Sequence, residues 1–195
     1  MNENIVLYND NLKSFYYDDL INLGNGKYRV RVYKEGKFKY DRIIIKTPRC
    51  KLAYDPNKNK YNSLSLLLHP LSNELKEFYK LIKRIDKKNK QNLQKENIKY
   101  KSCVTKTKYG NKIAQFNMFE NCQIFSKSKK KKKLKDTSLD DEVSLFIELN
   151  HLWISGKKAG CNWNIIQIRY YQSSFNINKC MFLSDTEDSD DEVIV

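Results

Sequence analysis

Hydrophobic and polar positions alternate with period two over residues 27–34: Tyr28, Val30 and Val32 fall on one face, Lys27, Arg29 and Arg31 on the other. That pattern predicts a half-buried strand. Glu35-Gly36 is a turn dipeptide. Residues 37–46 resume the alternation, with Lys37 and Lys39 opposite Phe38 and Tyr40, and then run into Ile43-Ile44-Ile45. The two segments read as a β-hairpin with one basic face. Pro48 ends the second strand, because proline has no N–H to give a ladder. Upstream, residues 1–26 carry apolar positions without a clean period; an early strand or a short helix is expected, punctuated by Gly24 and Gly26.

Residues 54–62 form a polar loop whose nearest aromatics are Tyr54 and Tyr61, and Ser63 to His69 is a short apolar strand. Ser72 then reads as a helix N-cap, with Glu74 and Glu77 in the first turns, where the helix dipole favours acids. Leu75, Phe78, Ile82 and Ile85 make a single helical stripe. Residues 86–97, rich in Lys, Asn and Gln, are an exposed helix extension or a loop. Tyr100 to Lys108 and Ile113 to Phe125 predict two strands joined around Gly110-Asn111. Val143, Leu145, Ile147 and Leu149 alternate on another strand, Gly156 and Gly160 bracket a Lys-rich turn, and Trp163 to Tyr171 is the last long strand.

Six to eight strands and one main helix inserted between them define a mainly β fold. An OB-fold-like barrel, with about five strands and a helix capping one end, fits that order; a β-sandwich is the alternative. Residues 1–184 make one OB-like domain on this reading, interrupted by a low-complexity Lys-rich loop at 126–142 that belongs in solvent. Residues 185–195 form an acidic tail of disordered composition.

Charge changes the picture more than composition does. The chain is +14, and six carboxylates (Asp185, Glu187, Asp188, Asp190, Asp191, Glu192) lie in its last eleven positions without a Lys or Arg among them. Setting those six aside leaves +20 on the first 184 residues. Such a body attracts a polyanion, and an acidic tail competes for the same surface. AT-rich coding accounts for part of the Lys, Asn, Ile and Tyr usage, but not for acids collected at one end. Ser184, Thr186 and Ser189 sit among those acids as acidophilic kinase sites do.

Catalytic signatures are poor, which excludes the common enzyme classes. His69 and His151 stand alone beside apolar strands, no Cys or His pair has zinc-ligand spacing, and no phosphate-cradling glycine loop is present. No cofactor is expected. The five cysteines are scattered, and Met1 to Asp10 is mixed rather than apolar, so free thiols in a reducing, intracellular compartment are expected. No apolar run reaches the roughly 18 residues of a membrane span.

Single-strand binders combine basic grooves with aromatic platforms on which bases stack. The hairpin region supplies Arg29, Arg31, Lys37, Lys39, Arg42, Arg49 and Lys51, with Tyr33, Tyr54 and Tyr61 as stacking candidates. Tyr33 shares the Arg29/Arg31 face, whereas Tyr28, Phe38 and Tyr40 take the core-facing phase. Lys106, Lys108, Tyr109 and Lys112 form a second basic-aromatic group at a turn. The run Lys129 to Lys133 reads as a solvated loop, a backbone-phosphate tether or a nuclear-localisation patch.

Four segments carry a resemblance: a basic strand leading to Ile45-Lys46-Thr47-Pro48; Ser65-Leu66-Leu67-Leu68 followed by Glu74-x-x-x-Phe78 and Ile85-Asp86; Glu148-Leu149-x-x-Leu152-Trp153-Ile154 with Gly160-x-x-Trp163-x-x-x-Gln167-Ile168; and the acidic tail. Together they span roughly residues 27–195. The chain resembles the single-stranded-DNA-binding proteins of large nucleocytoplasmic DNA viruses, which share their plan with acidic-tailed OB-fold binding proteins of some tailed phages. The resemblance implies an OB barrel with its helix between two barrel strands and a basic groove for DNA. It also implies a tail that contacts a replicative polymerase or helicase, in the host cytoplasm (viral factory), the nucleus or the virion. The phage relatives end their tails on an aromatic residue; this chain ends in Val195.

The expected function is sequence-independent single-stranded DNA binding in viral DNA replication, repair and recombination, without enzymatic activity and with homo-oligomerisation open. The alternatives are a virion or protein-interaction component with a basic surface, and an RNA-binding regulator.

Overall fold

The computed structural model describes residues 5–7, 12, 14–35, 40–58, 62–68, 72–93, 97–139 and 141–171. The acidic tail and Lys37, Lys39, Tyr61 and His69 lie outside them. Three short strands open the chain: β1 (Ile5–Leu7), β2 (Phe15–Tyr17) and β3 (Ile21–Asn22). They are followed by β4 (Lys27–Lys34), β5 (Asp41–Lys46), β6 (Cys50–Leu52), β7 (Ser63–Leu68) and α1 (Asn73–Asn92). Then come β8 (Lys99–Lys101), β9 (Val104–Lys106), β10 (Lys112–Ser126), β11 (Glu142–Ser155) and β12 (Lys158–Tyr171).

Five of these close a ring. β6 pairs β7 antiparallel, β7 pairs β10 antiparallel, β10 pairs β12 parallel, and β12 pairs β11 antiparallel. β11 returns to β5 and β6. With β5 and β6 as the two halves of one barrel strand, the order is first-second-third-fifth-fourth-first with the third and fifth parallel, the closure of an OB-type barrel. α1 lies between the second and third barrel strands in sequence. Mainly β, with one α-helix among the described residues, is therefore the architecture.

The two halves of the first barrel strand are separated at Pro48. The gap is stitched by Thr47, whose Oγ1 accepts the Leu145 N–H at 2.9 Å while its own N–H donates to Leu145 O at 2.8 Å. Ser144 Oγ donates to Thr47 O at 2.7 Å. Buried side chains supply what proline cannot give the ladder.

The inward phase is aliphatic: Ile43 and Ile45 on β5, Leu64 and Leu66 on β7, Val143 to Leu149 at alternate positions on β11. Trp163 meets Phe116 edge to face at 6.4 Å. The alternation on β11 does not stop at Leu149. Asn150 is an extra residue opposite β12, and this bulge restores Leu152 and Ile154 to the interior one position out of phase. Ile166 is the matching extra residue on β12.

Four expectations are corrected. The predicted hairpin pairs only at its tip, Tyr33 with Arg42 and Lys34 with Asp41, because β4 and β5 splay to lie side by side along β11. Tyr40 is not core; it lies outside β5 and is 49% exposed. Gly160 is not a turn residue: the turn is at Gly156 (φ 54°), and Gly160 sits within β12. The strand count also exceeds six to eight, since β1, β2 and β3 are too short to show a period and the strand expected from Tyr100 to Lys108 is broken into β8 and β9.

The Lys-rich segment has a defined path. Lys131 bridges back to Phe125 antiparallel, Lys132 N–H donates to Ile124 O at 2.9 Å, and Thr137 is buried.

The helix stripe is buried as expected, with Leu81 added to it. Ser72 occupies the N-cap without a side-chain capping bond. The helix continues past Lys87-Lys88 because its last turns bury two polar groups, Asp86 and Asn89. Tyr100 Oη donates to Asp86 Oδ1 at 2.8 Å, and Ser102 Oγ donates to Oδ2. Tyr17 Oη donates to Asn89 Oδ1 at 3.0 Å, and Asn89 Nδ2 donates to Cys161 Sγ at 3.0 Å. The network fastens α1 to β2, β8 and β12.

Burial holds the Asp86 carboxyl above the ordinary carboxylate range, against the opposing pull of the Ser102 and Tyr100 hydroxyls and of Lys83. A carboxyl raised by folding adds stability that is fully present below its unfolded pKa of about 3.9 and is lost as pH rises through the folded value. Asp86→Asn removes that dependence. Urea midpoints across a pH series should show wild type gaining on the variant as pH falls toward 4. A pH-independent difference would contradict the assignment.

Candidate nucleic-acid interface

The outward phase of the barrel is polar and runs across four strands. Register places Arg31 on β4 opposite His151 on β11, and His151 opposite Asn162 on β12. Asn117 on β10 donates its Nδ2 to Asn162 Oδ1 at 2.8 Å, closing the row. One step along, Arg29 lies opposite Trp153, and Trp153 opposite Gly160. Directly paired residues project from the same face of a sheet, so these side chains share one surface. Gly160 is required there: a Cβ would stand 2.9 Å from Trp153 Cζ2 and 2.7 Å from Lys101 O.

His151 is held below the ordinary histidine pKa, first by burial and then by the positive charges of Arg29 and Arg31. It is therefore neutral at pH 7 and adds a hydrogen-bonding ring, not a charge, to the middle of the row. Arg29 Nε is buried without a hydrogen-bond partner.

Beyond Arg31, β4 carries Tyr33 in the same phase. β2 places Tyr16 opposite Tyr33, and Tyr40 packs on both: its ring centroid lies 5.1 Å from Tyr16, edge-on, and 6.1 Å from Tyr33, tilted. Three tyrosines thus form an aromatic cluster at the tip of the basic strand. Tyr16 and Tyr40 were not among the residues that sequence reasoning singled out for stacking, because β2 has no period and Tyr40 follows the core-facing phase of residues 37–46.

The other sequence candidates divide. Arg42 pairs with Glu148 at 3.2 Å, and Arg49 pairs with Glu142 at 2.9 Å while lying 4.0 Å over the Tyr171 ring. Both cations are partly engaged within the protein. Lys51 is exposed beside Glu142, and Tyr54 is 54% exposed in its loop. The second group lies elsewhere. Lys112 takes the inward phase of Ala114 and Phe116 and sits 4.1 Å over Tyr79 of α1, at the helix end of the barrel. Tyr109, 77% exposed, has Lys108 over its ring at 4.8 Å, and Lys106 pairs with Lys112 across the hairpin. The two basic-aromatic groups do not merge into one row.

Sequence reasoning missed the amide band. Gln115 and Asn117 on β10, and Asn162 and Asn164 on β12, alternate with the inward Phe116, Trp163 and Ile165. Amides at consecutive outward positions, 115 and 117 on β10 and 162 and 164 on β12, were the available signal. Phe119 was also missed: β10 bulges between Met118 and Gln123, leaving Phe119 52% exposed, and Asn62 holds the bulge through bonds to both Met118 N and O.

Among the described residues the four thiols are held protonated. Burial raises Cys161 to about 12 and Cys122 to about 11, and drives Cys50 and Cys103 upward as well. Among the described residues no three His, Cys, Asp or Glu side chains converge as a metal-binding group. The surface as built offers cations, hydrogen-bonding amides and exposed rings, which is the chemistry of binding.

No protein-family model matches the chain, and no curated protein matches it. Similar solved structures exist. One is the crystal structure of gp2.5, a single-stranded-DNA-binding protein encoded by bacteriophage T7, at 10% identity over 72% of this chain and 97% of that chain, with a TM-score of 0.48. Another is the single-stranded-DNA-binding protein of bacteriophage Enc34. Its C-terminally truncated form matches at 12% identity, 79% of this chain, 95% of that chain and TM-score 0.44. Its complex with single-stranded DNA matches at 10% identity, 76%, 87% and TM-score 0.41.

Proposed function

We propose that the protein binds single-stranded DNA without sequence preference, on the outward surface of β4, β11, β12 and β10. The observation that carries this is the joining of the Tyr16-Tyr33-Tyr40 cluster to Arg31 and Arg29 on one strand, continued by His151 and the amide band. Bases stack on tyrosine rings, arginines neutralise phosphates, and amides accept or donate to whatever base edge is offered. Of the residues expected from sequence, Arg29, Arg31 and Tyr33 form the centre. Arg42 adjoins it through Tyr33, whereas Arg49 and Lys51 lie beside Glu142 at the other end of β11, with Tyr54 in the loop after β6. Lys106, Lys108, Tyr109 and Lys112 would contact a strand only where it passes the helix end of the barrel.

The wider setting is that of the viral single-strand binders the sequence resembles: a non-enzymatic role in DNA replication, repair and recombination. The acidic residues 185–195 compete with DNA for the basic surface and, once displaced, engage a polymerase or helicase. What supports this is the charge separation between body and tail.

The test is fluorescence anisotropy with a labelled oligo-dT and unlabelled duplex competitor, on the full chain and on a chain ending at Ser184. Binding should fall steeply with salt and resist duplex. The shortened chain should bind several-fold tighter at fixed salt. Equal competition by duplex would reject the single-strand reading, and unchanged affinity on shortening would reject the competing tail.

A further inference from the structure

We infer that the turn at Ser126 to Lys132 is a second phosphate-binding site for the nucleic-acid strand. This rests on the reading of the protein as a single-strand binder and adds a contact outside the β4-centred surface. The turn is built, not loose. Ser126 N–H donates to Lys130 O at 2.8 Å, Lys129 N–H donates to Ser126 O at 3.0 Å, and Lys130 N–H reaches Ser126 Oγ at 3.2 Å. Lys129 adopts φ 64°, a left-handed conformation that costs a lysine energy. Folding therefore concentrates like charges in a fixed geometry when an open loop would let them separate.

Beneath the turn is a cavity of about 760 Å³, rimmed by Lys127, Lys130, Lys131 and Lys132. Among the described residues none of these four has an ion-pair partner. The hydroxyls of Ser126 and Ser128, 2.9 Å apart, add neutral donors to the rim. The floor is the Tyr170 ring together with Asp141, whose carboxylate accepts the Ser138 N–H at 3.0 Å. Four ammonium groups with hydroxyls between them outnumber the one Asp141 carboxylate on the floor, and such a rim favours an anion with several oxygens.

Position argues that this anion is a backbone phosphate. Lys131 is paired with Phe125, and Phe125 with Arg169 on β12, so the turn extends the sheet that carries the amide band. From Gly160, beside Trp153, to Arg169 is nine residues of β12, roughly 30 Å along an extended strand. A DNA strand following that direction leaves the arginine surface and arrives at the lysines.

The test replaces Lys127, Lys130, Lys131 and Lys132 with Gln in the full chain and measures labelled oligo-dT binding across a salt series beside wild type. Each lost phosphate contact lowers the slope of log K against log salt by about 0.7, so a reduction of about 2 to 3 is expected. Tyrosine and tryptophan quenching at saturation should be unchanged, because the rings are untouched. The single variant K131Q, which cannot perturb the fold through lost charge density, should lower the slope by about 0.7. An unchanged slope in both variants, with wild type binding normally, overturns the second site and leaves the single-strand reading standing. Tighter binding by the quadruple variant also overturns it, since the lysines would then be holding an acidic segment of protein in place of DNA. No binding of oligo-dT by wild type at any salt removes both.

Discussion

Replacing Tyr33 and Tyr40 together with alanine is expected to weaken oligo-dT binding by at least about fivefold, and by about a hundredfold where both rings carry bases, at about 1–3 kcal/mol per stacked base. Tyr40 is half exposed and Tyr33 lies on the outer face, so the core beneath them, Val30 and Val32, is left intact. The salt slope should not move, because no charge is removed. That separates stacking from phosphate contact: the tyrosine variant loses affinity at constant slope, whereas lysine or arginine variants lose slope. Anisotropy at three salt concentrations checks both quantities, and far-ultraviolet circular dichroism checks the fold. Undiminished affinity would mean that the cluster merely buttresses β2 against β4.

The second large effect is expected at Gly160. Alanine there places a methyl 2.7 Å from the Lys101 carbonyl and 2.9 Å from the Trp153 ring. A real Cβ does not tolerate either distance, so β8 must separate from β12 or Trp153 must swing outward. Overpacking of this kind costs about 1–3 kcal/mol. For a chain of this size that is a fall in Tm of about 2–12 °C. Because Trp153 stands beside Arg29, oligo-dT affinity should fall as well. Calorimetry and anisotropy on the same variant test the two consequences. An unshifted Tm would show that β8 yields without cost.

The parts of the fold that were legible in the sequence are those with an uninterrupted period. Val30 and Val32 against Arg29 and Arg31, the alternation from Val143 to Leu149, and the Leu75-Phe78-Ile82-Ile85 stripe all stand where the period puts them. What was hidden depends on pairing. The Asn150 bulge shifts the phase of β11 by one, so His151 and Trp153 reach the outer face at odd positions that a strict alternation from Leu149 would bury. The splaying of β4 from β5 follows from β11 being long enough to pair with both, which no local pattern records. Tyr40 took the core-facing phase in sequence yet lies outside the strand, where Tyr16 and Tyr33 hold its ring.

The candidate site was legible in the same measure. Arg29, Arg31 and Tyr33 came from one strand, whose period is local. Their neighbours His151, Trp153, Asn162 and Asn117 come from three others and meet only through register. Asp86 and Asn89, polar residues near the end of a lysine-rich helix, looked solvated; their partners Tyr17, Tyr100 and Cys161 lie on distant segments. The lysine run looked like a structureless loop because composition does not encode the bonds from Ser126 and Ile124 that fold it back.

The most direct measurement is an amide chemical-shift titration of the isotopically labelled protein, 23.2 kDa in mass, with an unlabelled oligo-dT. The account predicts that the largest shifts fall on Tyr16, Arg29, Arg31, Tyr33, His151 and Asn162, with smaller ones at Ser126 to Lys132. Shifts confined to α1 and the β9–β10 turn, or none at saturating DNA, would contradict it.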